Sequence, residues 1–310
     1  MFKEIGKLFM IKPQSLTSEE LSFYRDLSFK NFVFFKEHFN GDFASYKELL
    51  KNKLKSLGLL AIDQEGGQVC RIKQDLEAPL EIVKKSQKEG KEVFIAWAEK
   101  IAKTLKSYEL NLNLAPVVDL GDESASDFLK GRTYGNDPKL VTFFANIFIE
   151  IHKKWHINTT LKHFPGLGEV KVDPHLELSL KERVSSEDLY PFKELAPKVS
   201  FIMTTHILVP EWDTFPVTFS QRAIKFLREF LNYQGVIVSD DLQMGALARY
   251  SLSERIIRTL VSGHNLIIFC GKPLELVETL FELKSELEKS QVIKIRVKES
   301  LTILEKYFIL

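Results

Sequence analysis

The amino-acid sequence predicts an α/β fold in which eight parallel strands and the helices between them close into a (β/α)8 barrel of the TIM type. Two observations predict it: short, almost continuously apolar runs recur eight times, and longer amphipathic stretches lie between them. No linker or low-complexity segment interrupts the alternation, so we expect one domain over residues 1–310. An open, doubly wound sheet is the alternative, but no glycine-rich phosphate turn follows the first strand.

Each apolar run has the length and composition of a strand that is buried on both faces. Because such strands are parallel, the segments between them must cross back over the barrel as helices. The predicted strands are IGKLFMI (5–11), NFVFF (31–35), LGLLAID (57–63), LNLNLAPVVDL (110–120), NTTLKHF (158–164), SFIMTTHI (200–207), GVIVSDD (235–241) and NLIIFCG (265–271).

Helical apolar spacing and helix-start signals occupy the stretches between the strands. In TSEELSFYRDL, Ser18 comes just before two glutamates, as at a helix N-terminus. The C-terminal run from Pro273 to Leu310 predicts two helices that are broken near Ser290. Further predicted helices are KEVFIAWAEKIAKTLKSYEL (91–110), DPKLVTFFANIFIEIHKKW (137–155), SQRAIKFLREFL (220–231) and SLSERIIRTLVSG (251–263).

Composition and charge exclude several classes of protein. Hydrophobic residues make up 45% of the chain and charged residues 27%, and a net charge of +1 gives no reason to expect nucleic acid or an anionic membrane as a partner. The start of the chain lacks the apolar region of a secretory signal, and no apolar run is long enough for a membrane helix, so we expect a cytoplasmic protein. Cys70 and Cys270 are too few for a disulfide framework or a metal cluster, and we expect two small, buried side chains.

Polar residues end four of the predicted strands, where a barrel places its active site. A protein core offers such groups few partners, so their positions indicate a site at the barrel mouth. The residues are Asp63 in the third strand, Lys162 and His163 in the fifth, His206 in the sixth, and Asp240 and Asp241 in the seventh.

The segment GVIVSDD places two carboxylates side by side. Neighbouring strand residues face opposite ways, so only one of them can point into the barrel mouth. Ionised there, it could attack an anomeric carbon or stabilise an oxocarbenium ion. The alternative is that Asp240 and Asp241 cap a following helix, QMGALARY.

The segment LKHFPGLGEVKVDPH (161–175) ends a strand and then releases a glycine-containing loop that carries Asp173 and His175. At this spacing the carboxylate can hydrogen-bond one imidazole nitrogen, which fixes the tautomer and favours the protonated ring. A histidine paired in this way is a candidate general acid/base. The alternative is an ordinary surface turn.

Asp63 begins DQEGGQVCR (63–71), in which two glycines allow a tight turn and Arg71 follows. An acid and an arginine at a strand end suit a polyhydroxylated ligand, which needs both donors and acceptors, although a structural ion pair is the alternative. Arg132, in KGRTYGNDP, could serve either purpose. His152 and His156 lack the glutamate of a zinc-hydrolase motif, and we expect both on a solvated helix face.

Six segments, in order from about residue 57 to 245, together resemble glycoside hydrolase family 3, and within it the single-domain bacterial β-N-acetylhexosaminidases. The matching blocks are AIDQEGGQVCRI, NLAPVVDL, GRTYGNDP, LKHFPGLGEVKVDPH, IMTTHILVPEWDTFPVTFS and GVIVSDDLQMGAL. Four departures from the family pattern stand out. Leu167 replaces a histidine, Gln68 an arginine and Cys70 a glutamine, and the block of Arg132 reads KGRTYG where an Arg-Ser-Phe or Arg-Ala-Phe form is usual. These departures bear on the leaving-group preference and on the behaviour of the loops.

The resemblance implies that Asp240 is a nucleophile and that His175 is the acid/base, with Asp173 as its partner. It implies a carbohydrate substrate, a terminal β-linked N-acetylglucosamine on a muropeptide in cell-wall recycling, and no metal or organic cofactor. We expect a monomer. Two rival hypotheses are a Schiff-base aldolase that uses Lys162 and a sugar-binding protein without catalysis. The residues implied to hold the sugar are Asp63, Arg71, Arg132, Lys162 and His163.

Overall fold

The computed structural model describes residues 1–307 and shows a closed barrel of eight parallel strands. The first strand pairs in parallel with the second and, through Phe9 opposite Ile267, with the last, so the barrel is closed and the open-sheet alternative is wrong. The strands are β1 (Phe9–Ile11), β2 (Asn31–Phe34), β3 (Leu60–Ile62), β4 (Leu112–Asn113), β5 (Asn158–Phe164), β6 (Phe201–Thr204), β7 (Val236–Asp241) and β8 (Leu266–Phe269).

Helices surround the barrel, and a π-helical turn, Phe226–Phe230, follows the seventh of them directly. Within residues 1–307 no helix is both long enough and apolar enough to cross a membrane. The helices are α1 (Ser18–Asp26), α2 (Phe43–Leu54), α3 (Pro79–Glu89), α4 (Lys91–Ser107), α5 (Pro138–Lys154), α6 (Ser186–Leu195), α7 (Gln221–Lys225), α8 (Leu252–Ser262), α9 (Pro273–Glu282), α10 (Lys284–Lys289) and α11 (Gln291–Leu304).

Every predicted strand except 158–164 is shorter in the structure than its apolar run, and the first and fourth runs show this most clearly. Residues Phe2–Leu8 form a 3-10 helix whose Ile5 and Leu8 are buried, so β1 begins only at Phe9. In β4 only Leu112–Asn113 pairs as a strand, with one further bridge from Val117 to Lys162. In the first run the cause is that a short apolar run reports burial, which a strand and a buried helical turn satisfy equally well. The rest of the fourth run forms neither a helix nor a longer strand.

Several helix predictions also need correction. Thr17, not Ser18, caps α1, because its hydroxyl accepts a hydrogen bond from the Glu20 backbone N–H at 3.2 Å. The segment QMGALARY forms only a 3-10 turn, Gly245–Leu247. The break at Ser290 is confirmed, but α9 and α10 form two helices before it instead of one, and residues 308–310 lie outside the described part of the chain. Sequence reasoning missed the helices α2, α3 and α6.

His152 shows how a helix and two strand ends are joined inside the barrel wall. The Gln64 backbone N–H donates to Asn113 Oδ1, which turns the Asn113 amide NH2 towards His152 Nε2 at 3.2 Å. The other ring nitrogen of His152 donates to the Phe148 carbonyl at 2.9 Å. Because Nε2 must accept a hydrogen bond, the ring is neutral, and burial lowers its pKa to about 4. The expectation of a solvated helix face is therefore wrong for His152, whereas His156 is exposed but lies beyond the end of α5 at Lys154.

A buried neutral histidine makes the protein less stable in acid. Unfolded His152 binds a proton near pH 6.5 and folded His152 only near pH 4, so lowering the pH favours the unfolded chain. Between pH 7.5 and 5 this single group costs about 2 kcal/mol of unfolding free energy. We expect the loss measured by urea unfolding over that interval to be smaller by about that amount in His152→Gln. His156→Gln, at an exposed histidine, should follow the wild type, and equal pH dependence in all three proteins would contradict the assignment.

Candidate active site

A cavity of about 290 Å³ opens at the C-terminal ends of the barrel strands. Apolar side chains of the strands, including Val33, Met203 and Ile268, form part of its lining. A larger groove of about 670 Å³ beside α8 is lined by helix and loop residues and contains none of the predicted site residues. The smaller cavity brings together all of them except Asp173 and His206. Its predicted residues are Asp63, Arg71, Arg132, Lys162, His163, His175, Asp240 and Asp241.

Asp240 lies at the end of β7 and borders the cavity. One carboxylate oxygen accepts a hydrogen bond from the Asp241 backbone N–H at 2.8 Å. Burial raises the pKa of this carboxyl, but the nearby imidazoles, led by those of His206 and His163, lower it more, and the pKa stays below its ordinary value. Asp240 is therefore ionised at neutral pH and faces the cavity as a carboxylate.

The neighbouring carboxyl of Asp241 has a different environment. Its Oδ1 accepts hydrogen bonds from the backbone N–H groups of Gln243 and Cys270, both at 3.0 Å. Burial raises its pKa above the ordinary value, and the charge of Asp240 adds to the increase. Both residues border the cavity, but the Asp241 carboxyl group is held by backbone donors. Asp241 holds the following turn, as the capping alternative proposed, and Asp240 does not.

His175 and Asp173 form the hydrogen bond that their spacing predicted. His175 Nδ1 donates to Asp173 Oδ1 at 2.7 Å, and the same oxygen accepts the His175 backbone N–H at 2.9 Å. Because Nδ1 is used in this way, Nε2 is the ring nitrogen left for a ligand. The His175 side chain is 59% exposed and borders the cavity, while Asp173 lies behind it and does not line the wall.

The loop that carries this pair is docked against the turn after β7. The backbone N–H of Gly245 donates to the His175 carbonyl at 2.9 Å, and that of Ala246 donates to the Pro174 carbonyl at 3.1 Å. A Cβ on Gly245 would collide with the carbonyl of Leu176, so only glycine permits this approach. The two backbone hydrogen bonds hold His175 at the strand end that bears Asp240.

Glu65 is the centre of a buried ion-pair network that sequence reasoning missed. Its carboxylate, 2% exposed, accepts two hydrogen bonds from Arg132, at 2.8 and 2.9 Å, and lies 2.6 Å from Lys162 Nζ. Burial raises the pKa of Glu65, but the two cations outweigh it and hold the pKa far below its ordinary range. Glu65 lies in DQEGG, two residues after Asp63 and directly before the two glycines. A charged residue in a turn that follows a buried strand is the sequence pattern that could have identified it.

Lys162 links this network to Asp63, whose Oδ1 it contacts at 2.7 Å. Burial lowers the pKa of Lys162, but Asp63 and Glu65 raise it more, so the ammonium stays protonated. Arg71 lies 3.7 Å from the other oxygen of Asp63 and stacks over the Phe35 ring at 5.1 Å. Its Nε is buried and has no hydrogen-bond partner among the described residues. The structural ion pairs that were the alternative to a ligand site do form, and their residues line the cavity.

Asp119 is the second residue that sequence reasoning missed. Its carboxylate accepts hydrogen bonds from the ring Nδ1 of His163 at 2.7 Å and from the Leu167 backbone N–H at 2.7 Å. Asp119 therefore fixes both the His163 ring and the start of the loop that leads to His175. It is the last residue but one of the predicted strand 110–120, and a carboxylate at a strand end is the sequence pattern that could have identified it.

His206 was expected at the site but lies beneath it. The ring is fully buried, its Nε2 donates to the Asp241 carbonyl at 2.9 Å, and its Nδ1 lies 2.5 Å from the Thr218 hydroxyl. Burial lowers its pKa, which the charge of Asp240 opposes. His206 supports the end of β7 from below.

Both cysteines were expected to be buried, and both are half-buried and free. Cys70 hydrogen-bonds the Ile72 carbonyl at 3.0 Å, whereas Cys270 borders the cavity. Burial raises the pKa of the Cys270 thiol well above its ordinary value, so it is not a reactive thiolate. Within residues 1–307 no three His, Cys, Asp or Glu side chains are arranged to hold a metal ion.

A closed (β/α)8 barrel with these groups at its strand ends defines a barrel enzyme with a polar active site. The model of the glycosyl hydrolase family 3 N-terminal domain matches residues 38–304, and the chain therefore belongs to glycoside hydrolase family 3. A β-hexosaminidase of Actinobacillus pleuropneumoniae serotype 5b is 30% identical over 297 residues, covering 91% of this chain and 85% of the relative.

Solved structures agree with this fold. A β-N-acetylhexosaminidase from Beutenbergia cavernae superposes with a TM-score of 0.86 at 21% identity, covering 98% of this chain and 97% of that one. A family 3 β-N-acetylglucosaminidase from Paenibacillus superposes with a TM-score of 0.85 at 23% identity. This chain is covered to 99%, but it spans only 62% of the Paenibacillus chain.

The Glu65 network predicts a large loss of stability on neutralisation. In Glu65→Gln the cations of Lys162 and Arg132 stay buried without their shared carboxylate, and we expect the unfolding free energy to fall by about 3–5 kcal/mol. Chemical denaturation at pH 7 measures this. Glu229→Gln removes one partner of an exposed ion pair and serves as the control, which should stay near wild type. A Glu65→Gln variant as stable as the control would show that the network is dispensable.

Proposed function

We propose that the chain hydrolyses terminal β-linked N-acetylglucosamine with retention of configuration, and that Asp240, His175 and Asp173 perform the chemistry. The observation that carries the proposal is the shared cavity: the ionised carboxylate of Asp240 and the imidazole of His175 border the same space. A retaining mechanism needs these two functions, a nucleophile and a proton donor, on either side of one glycosidic bond. Here a histidine takes the place of the usual second carboxylate.

In the first step, an oxygen of Asp240 attacks the anomeric carbon while the bond to the leaving oxygen breaks. His175 Nε2–H gives its proton to that oxygen, and the Asp173 carboxylate stabilises the imidazolium before transfer. In the second step, a water molecule gives a proton to Nε2 and attacks the same carbon. The carboxylate of Asp240 leaves as the sugar is released.

The cations and carboxylates of the wall are suited to hold the sugar. Its hydroxyl groups need acceptors, which Asp63 supplies, and donors, which Arg71, Lys162 and Arg132 supply. The buried Nε of Arg71, which has no protein partner among the described residues, supports a ligand at this point. His163 is held in place by Asp119, and its Nε2 is the ring nitrogen left to contact the ligand.

The proposed substrate is a muropeptide fragment, N-acetylglucosamine β-1,4-linked to anhydro-N-acetylmuramic acid, and the proposed setting is cell-wall recycling in the cytoplasm. The family and the β-hexosaminidase relatives, matched over most of their length, support an N-acetylhexosamine in the cavity. The volume of about 290 Å³ suits one sugar residue and therefore removal of a terminal sugar. We propose that the enzyme works as a monomer without a metal or organic cofactor.

The Schiff-base alternative conflicts with the charge of Lys162. An amine that attacks a carbonyl must lose its proton, and such lysines have lowered pKa values. Two carboxylates raise the pKa of Lys162 instead. Borohydride would trap an aldolase substrate on Lys162, and we expect no such adduct. Tight binding of N-acetylglucosamine without hydrolysis would favour the alternative of a sugar-binding protein.

The two catalytic roles predict different responses to the leaving group. On a nitrophenyl N-acetylglucosaminide, Asp240→Ala should lower kcat/KM by more than about 10³-fold, because no other group replaces the nucleophile. His175→Ala should lose about 10²–10⁴-fold with a leaving group that needs protonation, and far less with a dinitrophenyl group. The exposed His156→Gln is the matched control. Near-wild-type turnover by Asp240→Ala would contradict the assignment of Asp240 as the nucleophile.

Trapping the covalent intermediate identifies the nucleophile directly. A slow 2-fluoro glycoside should inactivate the enzyme and add one sugar mass to the peptide that contains Asp240. Peptide mass mapping distinguishes Asp240 from its neighbour after digestion and fragmentation. Asp241→Asn should still be labelled, whereas a label on Asp241 would reverse the assignment.

A further inference from the structure

The loop that carries Asp173 and His175 lies between Gly168 and Lys181, and one buried side chain joins its two ends. Lys181 is only 5% exposed. Its ammonium donates to the Gly168 carbonyl at 2.7 Å and to Asp188 Oδ1 at 3.0 Å. A lysine buried in this way is held by its partners and not by solvent, so the bridge has a defined geometry.

Asp188 anchors this bridge to the first turn of α6. Its second oxygen accepts hydrogen bonds from the backbone N–H and the hydroxyl of Ser185, at 3.0 and 2.8 Å, which form a capping box. A Cβ on Gly166 would lie 3.1 Å from Asp188, and one on Gly168 would lie 2.8 Å from the Leu120 carbonyl. The start of the loop is thus packed directly against the Asp188 side chain.

Between these fixed ends, His175 itself is held by few contacts. Its side chain is 59% exposed, and the next residue, Leu176, is 76% exposed. Ser179 Oγ donates to the Val172 carbonyl at 2.5 Å inside the loop, and the turn at Gly245 holds the tip. Burial therefore does not fix the imidazole. Its position depends on the Lys181–Gly168 contact that joins the two ends of the loop and on the hydrogen bond from Gly245 to the His175 carbonyl.

We propose that Lys181, through Asp188 and Gly168, is a positioning residue for the acid/base: it closes the base of the loop so that His175 presents Nε2 to the cavity. This rests on the proposed role of His175. A shift of about 1 Å in a reacting group is enough to cost on the order of 10²-fold in rate. Loss of the bridge should therefore harm proton transfer more than the attack by Asp240, which lies on the barrel strand.

The test uses Lys181→Met and the double variant Lys181→Met/Asp188→Asn. The double variant removes both charges and keeps an oxygen for Ser185, so it avoids leaving a buried carboxylate without its cation. Lys171→Met, at an exposed lysine in the same loop, is the control. Each protein is assayed for kcat/KM with a dinitrophenyl and with a poorer, alkyl N-acetylglucosaminide, and its thermal midpoint is recorded.

We expect kcat/KM to fall by on the order of 10- to 100-fold with the alkyl glycoside and by less than about threefold with the dinitrophenyl glycoside. Azide, which attacks the glycosyl–enzyme without needing a base, should raise kcat of the variants on the dinitrophenyl glycoside. A lowered thermal midpoint with equal losses on both substrates, or no loss at all, overturns the proposal and leaves Lys181 a merely structural residue.

His175→Ala, assayed in parallel, separates the two hypotheses. If His175→Ala shows no dependence on the leaving group, the acid/base assignment fails and the role of Lys181 fails with it. If His175→Ala shows the dependence and both Lys181 variants do not, only the positioning role fails.

Discussion

The buried carboxylate of Glu65 is the interaction on which the candidate site depends. It neutralises Arg132 and Lys162 in a region where either cation alone would be strongly destabilising. Through these partners it joins the loop after β3, the loop after β4 and the end of β5. The Arg132 guanidinium donates two charge-assisted hydrogen bonds to the Glu65 carboxylate. Such paired hydrogen bonds have a restricted geometry, so the three segments are held in defined relative positions.

Asp119 and Lys181 likewise make buried, charge-assisted hydrogen bonds, and these hold the loop that carries Asp173 and His175. Asp119 accepts hydrogen bonds from the His163 ring and from the Leu167 backbone N–H, so His163 and the start of the loop share one acceptor. Lys181 then joins the two ends of the loop. Leu167, at the position where the sequence resemblance expects a histidine, has a buried side chain and donates to Asp119 through its backbone N–H, a contact that does not depend on the side chain.

The adjacent carboxyl groups of Asp240 and Asp241 have different electrostatic environments. Asp240 keeps a lowered pKa beside three imidazoles, whereas the pKa of Asp241 is raised by burial and its oxygen is occupied by backbone donors. Adjacent groups whose pKa values are driven apart can take different roles, one in chemistry and one in structure. The pKa of Lys162 is raised by two carboxylates, so its ammonium group stays charged and is suited to donating a hydrogen bond to a hydroxyl group.

Apolar periodicity and strand-end polarity are local patterns, so they were enough to predict the barrel, the strand that carries Asp240 and the loop that carries Asp173 and His175. The spacing of Asp173 and His175 was enough to predict their hydrogen bond, which joins residues two apart. The local patterns did not reveal that Glu65 and Asp119 are buried acceptors, that His206 lies beneath the site or that His152 is neutral in the barrel wall, because these properties depend on the three-dimensional fold. In each of these cases at least one hydrogen-bond partner lies 12 to 67 residues away in the chain, and no local pattern in the sequence identifies such a partner.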